Sequence, residues 1–200
     1  MMNKILTLVG LTLSLSANAA IVDMGNITRD TATGLDWLDL TETNGRSYND
    51  ISSKLGAGQE FDGWRYASVT EVQVLWSNLG MSNGTNESLL TSDVIYGAFV
   101  SSVNIIGNTA NTVSDFYDYG AMGITGDTAS DTEVFGAGIS HWIGNDFTNN
   151  WAEDKSVLRT RQHNIFGSYL VAPSAVPVPA AGWLFMTALV GLVGKKRLSR

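Results

Sequence analysis

The chain is 200 residues long, with 19 acidic and 12 basic side chains, two histidines and no cysteine. All nineteen acids lie between Asp23 and Asp154, and the region 20–172 that contains them holds only seven bases, so that region carries a formal charge of −12 against −7 for the whole chain. That balance repels phosphates and disfavours a nucleic-acid partner, and the missing cysteines exclude disulfide staples and a cysteine nucleophile.

At the start, Met1-Met2-Asn3-Lys4 is a short basic opening, Ile5 to Leu15 is mostly apolar, and Ala17-Asn18-Ala19 is a small-x-small cleavage site. Residues 1–19 therefore read as a secretory signal peptide removed by signal peptidase. The region 20–172 that follows is long enough to bury a core of its own. Within it, residues 22–40 read as two strands around a turn from Asp30 to Gly34, with Leu35, Trp37 and Asp39 on one face and Asp36, Leu38 and Leu40 on the other. Ser47 opens a short helix that presents Tyr48, Ile51 and Leu55 together and stops at Gly56. Ser68 and Glu71 have the spacing of a capping box, Val72, Leu75, Trp76 and Leu79 follow at helical spacing, and Gly80 takes the position after the cap.

Beyond Gly80, short apolar pieces at 94–103, 116–119, 134–143, 157–160 and 168–171 stand in Gly-, Asn-, Ser- and Thr-rich sequence and read as short strands joined by long loops. The expectation is a single loop-rich α+β domain. It has an antiparallel sheet, two short helices on one side, and a last strand that returns beside the first. Residues 173–179 form a Pro-rich linker. No charged side chain occurs from Ala172 to Gly194, and Lys195, Lys196, Arg197 and Arg200 follow at once. A helix over 180–194 would span roughly 22 Å, against about 30 Å of hydrocarbon. It reads as a short transmembrane helix with a basic cytoplasmic stop at 195–200, suited to a temporary hold.

Val176, Pro177, Val178, Pro179 and Ala180, with Trp183 in the following apolar run and the basic cluster behind it, resemble the PEP-CTERM family of sorting signals in its VPLPA-type variant. The resemblance implies that exosortase, a membrane transpeptidase of Gram-negative bacteria that make exopolysaccharide, reads those five residues, with Lys195, Lys196 and Arg197 as the stop. Val178 departs from the Glu of the commoner signal and the Leu of the variant. Pro177 and Pro179 forbid a regular helix there and hold the segment extended, as a protease-like cleft requires.

A second resemblance rests on Thr33, Gly34, Leu35, Trp37, Leu38 and Asp39, then Gly63, Trp64, Arg65 and Glu71, and the terminal stretch 167–171. These are similar to a domain frequent in PEP-CTERM proteins and related to the Lcl C-terminal domain, and the order of elements resembles the C-type-lectin-like fold. Tyr66-Ala67 departs from the Leu-Pro of many relatives. By residue type, Trp37 and Trp64 read as core anchors and Arg65 as the partner of an acid such as Asp39 or Glu71.

Catalytic patterns are scarce. His141 and His163 are the only imidazoles and lack zinc-site spacing; His141 reads as an interior or edge-strand residue. No GxSxG, P-loop or GxGxxG occurs, and no cofactor is expected. Asp115, Asp118, Asp127, Asp131 and Glu133 are candidate oxygen ligands for calcium without forming a DxDxDG loop, so a solvated acidic face is the preferred reading. Together these readings describe a non-enzymatic exported protein, held to the membrane by its C-terminal helix before processing and then placed at the cell surface or outside it, adhesive or associated with exopolysaccharide. The alternative is an extracellular glycan hydrolase. It would need two carboxylates about 5–5.5 or 6.5–9.5 Å apart in a cleft lined by tryptophans such as Trp142 or Trp151.

Overall fold

The computed structural model describes residues 21–81, 89–90, 93–110, 117–142 and 147–174. The segments read as a signal peptide, a sorting motif, a transmembrane helix and a basic stop lie outside the described residues. Among the described residues, no helix is long and apolar enough to cross a membrane.

The architecture is α+β, built on two five-stranded sheets. The first sheet has the order β1 (Ile21–Asp23), β2 (Ile27–Asp30), β3 (Leu35–Leu38), β10 (Leu170–Pro173) and β4 (Arg65–Tyr66), antiparallel throughout. The second has the order β5 (Leu89–Leu90), β8 (Phe147–Leu158), β7 (Glu133–Trp142), β6 (Tyr117–Thr128) and β9 (Gly167–Ser168), in which β9 runs parallel to β6. The helices are α1 (Tyr48–Ser52), α2 (Val69–Asn78) and α3 (Asp93–Ile106), with a 3-10 turn at Leu40–Thr43.

The expected hairpin forms, with the Asp30-to-Gly34 turn joining β2 to β3. Ser47 caps α1 by accepting from the Asp50 N–H. The capping box of α2 is complete, Ser68 and Glu71 each serving the other's backbone. At its other end Gly80 adopts φ +80°. The Met81 N–H then reaches the Trp76 carbonyl at 2.8 Å and the Gly80 N–H the Ser77 carbonyl at 3.0 Å, which satisfies the last carbonyls of the helix.

Four expectations are corrected. The segment 94–103 belongs to helix α3, not to a strand: Phe99, Val103 and Ile106 are buried at helical spacing, a period that a continuous apolar run does not reveal by itself. The strands β6, β7 and β8 are ten to twelve residues long, because glycines read as loop punctuation, Gly120 and Gly123 among them, sit where neighbouring chains pack too closely for a side chain. The first sheet is covered on both faces: Trp37 and Val171 face the main core with α2 and α3, while Leu38, Leu170 and Tyr66 face Ile51 of α1 together with Phe61 and Trp64. Finally, the last strand returns beside β3 and β4, leaving β1 at the edge.

Tyr169 ties the sheets together. Its N–H donates to the Ile124 carbonyl of β6 at 2.9 Å and its own carbonyl accepts from the Ala67 N–H at 2.8 Å. Its buried ring meets Trp37 edge-on, 6.3 Å between centroids.

Candidate functional site

Three of the residues that carry the second resemblance, Thr33, Leu35 and Glu71, line one open cleft of about 400 Å³ together with Thr70 and Val74. One wall is the β2–β3 turn. Asp30, fully buried, accepts from the Ala32 and Thr33 N–H groups at 2.9 and 3.3 Å through Oδ1 and from the Asn78 side chain at 2.8 Å through Oδ2. This carboxylate thus shapes the turn and fastens it to the far end of α2. Gly34 adopts φ +69° there, and its carbonyl accepts from the Ser174 N–H at 2.9 Å, so the chain leaves β10 beside the cleft.

The other wall is the first turns of α2. Glu71 is held by a fork from Arg65, at 2.6 and 2.9 Å, and accepts from the Ser68 N–H at 2.9 Å. The Arg65 guanidinium, aided by the Ser68 contacts, keeps the Glu71 carboxyl ionised down to about pH 2. Of the two acids named as partners for Arg65, the structure selects Glu71. A carboxylate so committed is a poor proton donor, and among the described residues that line the cleft no second acid stands beside it to form the pair of a glycosidase. Thr70 and Val74 escaped the sequence reading because they lie on the outward face of α2. Val74 is 41 % exposed. The cleft is thus a mostly apolar recess with hydroxyls and one fixed charge at its rim.

The remaining candidates are scattered. Asp127 points to the start of α2, where Oδ2 accepts the Val69 N–H at 2.5 Å, a favourable place for a negative charge. Asp131 lies in the β6–β7 turn and Glu133 opens β7, the turn being closed by bonds from the Ala129 and Ser130 N–H groups to the Glu133 carbonyl. Asp115 and the side chain of Asp118 lie outside the described residues, as do the side chains of Trp142 and Trp151. Among the described residues, no three His, Asp or Glu side chains are grouped to hold a metal ion. His141 is buried in β7 with its ring 6.4 Å from Phe99. His163 packs edge-on to Phe166 at 4.9 Å, and burial lowers its pKa. The core anchors separate: Trp37 is 3 % exposed, whereas Trp64 is only partly buried.

No protein-family model, no curated protein and no solved structure matches the chain.

Proposed function

We propose that this chain is an exosortase-sorted protein of the surface or extracellular matrix of a Gram-negative bacterium, whose exported domain is a lectin-like binding module and not an enzyme. The observation that carries the reading is the tail: Val176 to Ala180, an uncharged run to Gly194, and the basic cluster from Lys195. A signal peptide at one end and a short span with a basic stop at the other describe a protein that crosses the membrane and is held there briefly. Support for a binding role comes from the cleft, whose walls include Thr33, Leu35 and Glu71 of the segment that resembles the Lcl-related domain. An acidic exported module also stays soluble outside the cell. Association with anionic exopolysaccharide then requires a bridging cation or a neutral sugar face.

Mass spectrometry of the extracellular fraction tests the sorting reading. The mature protein is expected to begin near Ala20 and to lack every peptide from Trp183 to Gly194. Intact full-length chain on the outer surface would overturn it.

A further inference from the structure

The layer that α2 lays over the first sheet stops short of the sheet's end. Antiparallel partners share a face, so Val171 and Pro173 of β10 lie on the side of Trp37 and Leu35, their partners in β3. Val171 is fully buried there, whereas Pro173, two residues on, is exposed. Leu35, opposite Pro173, lines the cleft together with Val74 of α2, which is itself 41 % exposed. An aliphatic strip thus runs uncovered from α2 across β3 to the end of β10, and such a strip favours any apolar group that can cover it. None of the five lining residues is aromatic, and the one carboxylate, Glu71, is already held by Arg65 and Ser68. The recess therefore suits small, uncharged, aliphatic groups.

The chain itself supplies such groups at this point. Ser174 donates its N–H to the Gly34 carbonyl at 2.9 Å, and Gly34 stands between the lining residues Thr33 and Leu35. Residues 175–178, which lie outside the described residues, follow directly and read Ala-Val-Pro-Val, without charge. From Thr70 to Val74 the helix rises about 6 Å, and an extended chain covers that length in about two residues. Pro177 fixes its own φ, biases Val176 to an extended backbone and brings no N–H to bury, so seating this stretch costs little ordering and strands no donor at that position. A tether this short also holds the segment at millimolar effective concentration, so shallow burial is enough to keep it in place.

We propose that the cleft is the seat of the chain's own linker, with Ala175, Val176 and Pro177 covering Leu35 and Val74. The seat fixes the direction in which the segment after the domain departs, and any outside ligand of the cleft must displace it. The inference rests on the folded domain and the stretch that leaves β10, and not on export or sorting.

Cysteine pairs test it in the full chain, which has no cysteine of its own. A disulfide requires Cα atoms about 4.4–6.8 Å apart. Val74→Cys is to be combined in turn with Ala175→Cys, Val176→Cys and Pro177→Cys. The control joins Val176→Cys to Leu158→Cys, a position 48 % exposed on β8 of the other sheet. Val74 and Leu158 are both on the surface, so the fold tolerates either change. Under mild oxidation of dilute protein in detergent, at least one Val74 pair is expected to close within the chain at least about tenfold faster than the control. Rates equal to the control would overturn the proposal. Disulfide-linked dimers in place of closure would overturn it too, by putting a second copy in the cleft. A cysteine-free variant gives a second reading, since Val74→Asp sets a charge against the apolar segment. Cleavage between Ala175 and Val176, by a protease that cuts after small residues, is then expected to quicken several-fold. An unchanged rate would show the linker already free in the wild type and sink the idea.

Discussion

Leu40 shows how closely single residues are specified. Two glycines meet it: a Cβ on Gly167 would collide with the Leu40 carbonyl oxygen, and one on Gly123 would lie 2.7 Å from Leu40 Cδ2 and 2.8 Å from the Tyr169 ring. The first contact is with backbone, which cannot swing aside. Gly167→Ala is therefore expected to cost about 1–3 kcal/mol or more. Gly97 is the opposite case. It lies within α3, is exposed, and has nothing within 4 Å of its would-be Cβ, so Gly97→Ala should stabilise by about 0.5–1 kcal/mol through helix propensity. Urea midpoints of the two variants should move in opposite directions. Two shifts of the same sign would mean that the packing around Leu40, or the helical state of Gly97, is wrongly described.

At the scale of elements, α2 shows what local sequence determines. Its start, its buried stripe and its glycine stop were all readable, because a capping box and a 3.6-residue period are local signals. Ser68→Ala should cost about 0.5–2 kcal/mol. Arg65→Met should cost less, about 0.2–1 kcal/mol, since its fork to Glu71 is formed by a guanidinium 54 % exposed and screened by water. Equilibrium unfolding of both variants decides the order, and a larger loss for Arg65→Met would show the fork, not the cap, to hold the cleft wall. The helix α3 was misread for the complementary reason. Residues 94–103 have apolar side chains at both helical and strand spacing, and only the partners Ala121 and Ile139 across the core resolve which period is buried. The long strands hid in the same way, since Gly120 and Gly123 make sense only once Ala110, Leu40 and Tyr169 are seen beside them. The cleft was half legible. Thr33, Leu35 and Glu71 were singled out, but that they face one another across β3 and α2 follows from tertiary packing that no spacing encodes.

Across the whole molecule the acids act in two opposed groups, and their balance sets a pH optimum. Asp39 has a folded pKa raised to about 7 by burial, then by the Asp23 and Glu42 carboxylates, so folding takes up a proton. Its favourable contribution is complete below the unfolded value of about 4 and is lost as pH rises through 7. The Glu71 carboxyl is lowered to about 2 by Arg65, and Arg46 lowers Asp50 in the same sense. Their contributions are complete above the unfolded value of about 4 and are lost progressively as pH falls from there through the lowered folded values. Net charge works with Asp39: a chain of formal charge −7 and isoelectric point near 4.6 repels itself at neutrality and relaxes toward mild acid. Stability is therefore expected to peak at about pH 4–5, below the neutral range. Urea midpoints at about pH 2.5, 4.5 and 8 should describe a dome, with the alkaline side flattened in Asp39→Asn and raised by salt, which screens the repulsion. A midpoint that climbs steadily to pH 8 would show that Asp39 is stabilised as an anion and that the acidic surface exerts no net strain on the fold.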